Sequence, residues 1–195
     1  MIFDNVSPDK LAIDMRELAA RLGTPIGQTA GDDDMLLVEL LRAAKPSYAA
    51  MRVKLKRENG AIFIGNAKSE SKSLATLCKA SDECILLAAT LGIGVDRLVL
   101  KRASLSARDA FIIDAMADAL IEALCDYAES RICEGLDTTG RFSPGYGDLE
   151  LSLGEEIIAL TDAERTIGIK LTAGGMMIPK KSVNAIIAIR NGKNE

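Results

Sequence analysis

Apolar residues recur at helical spacing near the start of the chain. Leu11, Met15, Leu18 and Leu22 form one stripe, and Gly23 ends it. Ser7 followed by Pro8 reads as an N-cap with proline at the first helical position, which predicts a helix from there to Leu22. Thr24 to Ala30 reads as a loop. The acids Asp32, Asp33 and Asp34 suit the positive end of a second helix, running to about Lys45 before Pro46. The period then changes to two. Met51, Val53 and Leu55 alternate with Arg52, Lys54 and Lys56, Asn59-Gly60 supplies a tight turn, and Ala61 to Ile64 predicts the returning strand. Glu70 to Lys79 reads as a helix. The continuous apolar run from Cys84 to Thr90 reads as a buried strand.

Beyond it, Gly92-Ile-Gly94 resembles the start of a dinucleotide loop, but Arg97 stands where the third glycine would be, so it reads as a turn. A short helix is predicted from Val95 to Arg102. Ser106 caps the longest helix, Ala107 to about Glu134. Ile113, Ala117, Leu120, Leu124 and Tyr127 give that helix its core face, with Met116 and Ala123 beside it. A Gly-, Thr-, Ser- and Pro-rich loop covers 135–148. Leu149 to Leu160 predicts a further helix, Ile167 to Leu171 and Val183 to Ile189 predict strands, and Asn191 to Glu195 reads as a frayed end. Helices and strands without regular βαβ alternation indicate an α+β fold with an antiparallel sheet.

The 195 residues suffice to bury roughly 70% of the surface an unfolded chain exposes. No apolar run approaches the roughly 18 residues of a membrane span, and the N-terminus lacks the pattern of a signal peptide. The expectation is a cytoplasmic protein with no membrane partner. Net charge is −4 and the basic residues are scattered, which argues against a nucleic-acid partner. The four cysteines, Cys78, Cys84, Cys125 and Cys133, form no CxxC pair and read as small buried hydrophobes in a reducing compartment. The three consecutive aspartates could suggest a metal site, but a helix start explains them better. The chain has no histidine, which removes Ser-His-Asp and Cys-His catalysis, His-ligated zinc and a protein histidine beneath cobalt.

One segment stands apart: Arg141-Phe-Ser-Pro-Gly-Tyr-Gly-Asp148. Pro144 extends the backbone at Ser143. Gly145 and Gly147 allow positive φ and close approach of a ligand to the backbone. Tyr146 offers a flat face and a hydroxyl. Arg141 can grip a carboxylate with two parallel hydrogen bonds. These features suit a ligand with an amino-acid end and a flat ring; a tight structural turn with a salt bridge on Arg141 suits them equally. Glu122 adjoins the apolar stripe of the long helix, and its spacing favours a solvated edge over a site.

The segment resembles the RxxxGY motif of the activation domain of cobalamin-dependent methionine synthase, with Arg141, Gly145 and Tyr146 on the motif positions. Asp118 to Leu124 looks like the family's long helix before the motif. Ile167 to Thr172, Met176 to Pro179, and Ser182-Val183 look like segments after it, in the same order. The similarity covers roughly Leu91 to Ile189. It implies a twisted antiparallel sheet flanked by helices. The chain shows no linker or repeat, so a single domain is expected over 1–195, with N-terminal helices and a hairpin in 1–90, only loosely comparable to the family, and, by the resemblance, an S-adenosylmethionine-binding core in 91–190.

The implied function is that of a reactivation subunit. A flavodoxin-like donor reduces inactive cob(II)alamin on a partner, the cobalamin-binding methionine synthase core, and S-adenosylmethionine methylates the product. The chain would thus be a component of a methyltransferase, without a catalytic side chain of its own. By the resemblance, Arg141 holds the methionyl carboxylate, and Gly145 and the backbone near Ser143 contact the ligand closely. Tyr146 lines the pocket near the adenosyl group or the corrin. Glu122 matches a family glutamate near the site, which reverses its reading from spacing. The chain departs from the family in three places: Ile186-Ile187 replaces an aromatic, Ala173 replaces an acid, and Gly147-Asp148 replaces Cys-Pro after the tyrosine. A non-catalytic interaction protein that retains the fold, and a reactivation factor for another corrinoid methyltransferase, remain alternatives.

Overall fold

A computed structural model describes residues 1–23 and 31–191. The loop expected at Thr24 to Ala30, and residues 192–195 of the expected frayed end, lie outside them. In chain order the strands are β1 (Ile2–Asn5), β2 (Ser47–Glu58), β3 (Ala61–Ile64), β4 (Ala67–Ser69), β5 (Glu83–Thr90), β6 (Lys170–Leu171), β7 (Met177–Ile178) and β8 (Ser182–Ile189). The helices are α1 (Met15–Leu22), α2 (Gly31–Ala43), α3 (Lys72–Leu77), α4 (Ile93–Ala103), α5 (Ala107–Ile132), α6 (Leu153–Leu160) and α7 (Ala163–Ile167). The main sheet runs β4-β3-β2-β5-β8, with β1 also on β2, and every pairing is antiparallel. It is the α+β architecture expected: an antiparallel sheet flanked by helices.

Period-two alternation along the central strands divides the core. Ile85, Leu87 and Ala89 of β5, with Ile187 and Ile189 of β8, pack beneath α5 with Tyr48 and Ala50. Cys84 and Leu86, with Ile186 and Ala188, face Leu74 of α3 and Leu153 and Ile157 of α6. The stripe on α5 buries fully at Ile113, Ala117, Leu120 and Leu124, each leucine or isoleucine contributing about 1.5–3 kcal/mol. The Ser106 hydroxyl accepts from the Asp109 amide at 3.2 Å and starts that helix as the sequence predicts. Asn59 and Gly60 both take positive φ, so the expected hairpin turn joins β2 to β3.

Some expectations fail for local reasons. The first helix does not begin at Ser7-Pro8. Pro8–Lys10 form only a 3₁₀ turn, Ser7 turns its hydroxyl to Asp9, and Leu11 is extended. Asp14 starts α1 instead, its carboxylate accepting from the Arg16 amide at 2.8 Å. Ile167 to Leu171 is not one strand. Ile167 ends α7, Gly168 closes it at φ 74, and only Lys170–Leu171 is extended. The helix expected from Leu149 begins at Leu153, and the one expected from Glu70 spans only Lys72–Leu77. The short strands β1, β4 and β7 and helix α7 give no clear signal in the sequence.

Gly92 caps α4 at φ 80, and a Cβ on Gly94 would lie 2.3 Å from the Ala43 carbonyl oxygen. The glycine pair thus lets α4 start against the end of α2, as a turn and not a dinucleotide loop. The aspartate run lies in the first turn of α2, where Asp33 is buried and paired with Arg108 at 3.1 Å. Cys78, Cys84 and Cys125 are buried, Cys133 is half-buried, and all are free thiols. Among the described residues no helix is long and apolar enough to cross a membrane.

Candidate functional site

The loop after α5 returns along β8 as an irregular edge. Thr139 donates its amide to the Ala188 carbonyl at 2.9 Å, and Phe142 exchanges two 2.9 Å backbone bonds with Ile186. Neighbouring residues of an extended segment point to opposite sides. Phe142 therefore joins the core beneath α6, while Arg141 turns to the α5 side.

Arg141 meets three carboxylates of α5. Its Nη1 is 2.7 Å from Glu129, and its Nη2 is 2.8 Å from Asp126 and 3.2 Å from Glu122. Glu122, Asp126 and Glu129 follow at i, i+4 and i+7, which places them on one helix face. The Arg141 side chain is 20% exposed. Partial burial opposes its charge, but the hydrogen bond to Asp126 and the charges of Asp126 and Glu129 outweigh it, so its pKa is raised. Behind the pair, burial pushes the Cys125 thiol up to about 12 although Arg141 pulls it the other way. That thiol stays protonated near neutral pH.

A cavity of about 420 Å³ opens here, lined by Glu122, Asp126, Glu129, Gly140, Arg141, Phe142, Ser143, Tyr146 and Val183. Its size lies within the range of small-molecule sites. Tyr146 is 68% exposed and stands at the rim. Three carboxylates face one guanidinium, so the lining favours a cationic group. Exchange of one carboxylate on Arg141 would also admit an anionic one. A ligand carrying both charges a few ångströms apart matches this set best. Further along α5, Asp114 and Asp118 hold Lys181 at 2.9 and 2.6 Å and extend the row of acids.

Four of the five residues singled out in the sequence converge on this cavity: Arg141, Ser143, Tyr146 and Glu122. Gly145 is not part of the lining. At φ 90 it makes the turn beneath Tyr146 and donates its amide to the Leu149 carbonyl at 2.9 Å. Asp126, Glu129 and Val183 were not foreseen. The two acids could have been found from their spacing to Glu122, whereas Val183 depends on the register of β8. Ile187 is in the core under α5 and Ile186 in the core under α6, and neither lines the cavity. Ala173 is exposed in the β6–β7 turn.

No protein-family profile matches the chain, and no curated protein sequence matches it. Its fold does match a solved structure, the MetH reactivation domain bound to AdoHcy. The TM-score is 0.69 at 17% identity, over 100% of this chain and 79% of that one. The two proteins share the fold.

Proposed function

We propose that the chain binds S-adenosylmethionine in the Arg141 cavity and serves as a reactivation subunit for a cobalamin-bearing methionine synthase core. The observation that carries this reading is the convergence of Arg141, Ser143, Tyr146 and Glu122 on one cavity, in a fold shared with a domain crystallised with AdoHcy. AdoHcy is S-adenosylmethionine without the transferred methyl group. Its amino-acid end carries the carboxylate and ammonium that Arg141 and the α5 acids complement, and the sulfonium of S-adenosylmethionine adds a second positive charge for the same acids.

The chemistry asks little acid–base work of this chain. A cob(I)alamin on the partner is the nucleophile, and a sulfonium is already a good leaving group. The residues here bind and orient: Arg141 the carboxylate, Glu122 and its neighbours the positive charges, Tyr146 the flat part of the ligand or the corrin at the rim. A flavodoxin-like protein fits the need for an electron donor.

The reading is tested by capturing a cobalamin-loaded methionine synthase core with this chain, with and without S-adenosylmethionine. The visible spectrum is then followed after adding a flavodoxin-type reductant. Return of the methylcobalamin spectrum only with chain and S-adenosylmethionine together supports it. Capture that is indifferent to S-adenosylmethionine, with no methylation, supports instead an interaction protein that retains the fold. The three carboxylates already on Arg141 are the feature that favours this second reading.

A further inference from the structure

The loop that carries Tyr146 is held at its far end by a residue outside the cavity. Asp148 accepts at Oδ1 from the Ser71 hydroxyl at 2.7 Å and from the Ser73 amide at 3.1 Å, and at Oδ2 from the Lys72 amide at 2.7 Å. These donors belong to the start of α3, more than seventy residues earlier in the chain. Glu150 adds a second tie, accepting from the Ser69 hydroxyl at 2.7 Å. At the near end, Phe142 is fixed by its two backbone bonds to Ile186. Between these ends the turn bonds to itself and to the buried Leu149 just past Asp148. The Tyr146 amide donates to the Ser143 carbonyl at 3.2 Å, and the Leu149 amide to the Tyr146 carbonyl at 3.0 Å. Gly147 passes so close to α3 that a Cβ there would lie 3.2 Å from the Ser73 hydroxyl.

Tyr146 is itself exposed, so its place is set by the buried Pro144 before it and by the fastened ends of the turn. We infer that Asp148 is the positioning residue of the ligand loop: by fastening the loop to the start of α3 it sets Tyr146 and Ser143 over the cavity without touching the ligand. The inference rests on the cavity being a ligand site, but the order of the loop can be read without any ligand.

The test uses the full chain and Asp148→Asn, which keeps the shape and loses one acceptor. Amide hydrogen exchange at residues 143–147 is measured without ligand, and S-adenosylmethionine affinity by calorimetry. Exchange is expected to speed up and Kd to rise, each about tenfold, as for loss of a hydrogen bond to a charged group, while exchange in β5 stays unchanged. A folded Asp148→Asn protein with wild-type affinity overturns the inference. If the wild type itself binds no S-adenosylmethionine, the reading of the cavity fails separately. Exchange then decides: unchanged rates at 143–147 overturn the positioning role, and faster rates sustain it. Should Asp148→Asn not fold, Ser71→Ala, which removes the hydroxyl that bonds Asp148 Oδ1, is expected to shift both readouts in the same direction by less, and no shift overturns the role.

Discussion

Arg141 and Glu129 are joined by a 2.7 Å ion pair that ties the loop after α5 back onto α5 itself. The pair does not stand alone, since Asp126 and Glu122 share the other guanidinium nitrogen. On the proposed reading a ligand carboxylate exchanges with one of these acids on Arg141, and the freed acid faces the ligand's positive charge.

The same arrangement makes Arg141 a stability residue. Arg141→Ala leaves three acids facing one another across a partly closed cavity. It is expected to cost about 1.5–3 kcal/mol at neutral pH, the range for hydrogen bonds to charged groups. The cost should shrink at high ionic strength, which screens these partly exposed charges. Urea unfolding at low and at high salt checks this; an equal cost at both would remove the electrostatic explanation.

Asp148 and Glu150 give the fold a pH dependence. Hydrogen bonds from Ser71, Ser73 and the Lys72 amide hold the Asp148 carboxyl well below the usual carboxylate range. The Ser69 hydroxyl lowers Glu150, outweighing its desolvation. A depressed folded pKa means that the unfolded chain binds the proton first. The contribution is therefore complete above the unfolded values near pH 4 and is lost as the pH falls through the lower folded values. The urea midpoint should drop between pH 5 and pH 2, and Asp148→Asn should show a shallower drop. Identical acid limbs would contradict the assignment.

Gly94 has a steric role that a helix propensity scale misses. Alanine normally gains up to about 1 kcal/mol over glycine inside a helix. Here its Cβ would fall 2.3 Å from the Ala43 carbonyl oxygen, a backbone atom at the end of α2. Gly94→Ala is expected to destabilise by about 1–3 kcal/mol through overpacking. Gly140→Ala, with nothing within 4 Å of the added carbon, should stay within about 0.5 kcal/mol. Denaturant midpoints of the two variants make the comparison.

Elements with strong local signals were legible in the sequence. Asn59-Gly60 between alternating residues specifies the hairpin, Ser106 and a long apolar stripe specify α5, and the run from Cys84 to Thr90 specifies the central strand. What escaped was decided by distant partners. Strand β1 exists because Ile2 to Asn5 pair with Ala50 to Ser47, and β4 because Ala67 to Ser69 pair with β3. Ile167, Ile169 and Leu171 alternate like a strand, yet Ile169 packs with Ala88, Ile158 and Ala163 after α7 has ended at Gly168.

The site divides in the same way. Arg141, Ser143 and Tyr146 are neighbours in one motif, and Glu122 entered through the resemblance of the helix before it. Asp126 and Glu129 were visible as acids but not as partners of Arg141. That partnership requires the loop to run along β8 with Phe142 on one side and Arg141 on the other. Gly145 was expected against the ligand and serves the turn.

Titration calorimetry of the full chain with S-adenosylmethionine decides whether the Arg141 cavity takes this ligand. Saturable one-to-one binding is expected, weakened by about 1.5–3 kcal/mol in Arg141→Ala, with competition by AdoHcy. No heat and no competition at millimolar ligand, or equal binding by Arg141→Ala, would contradict it.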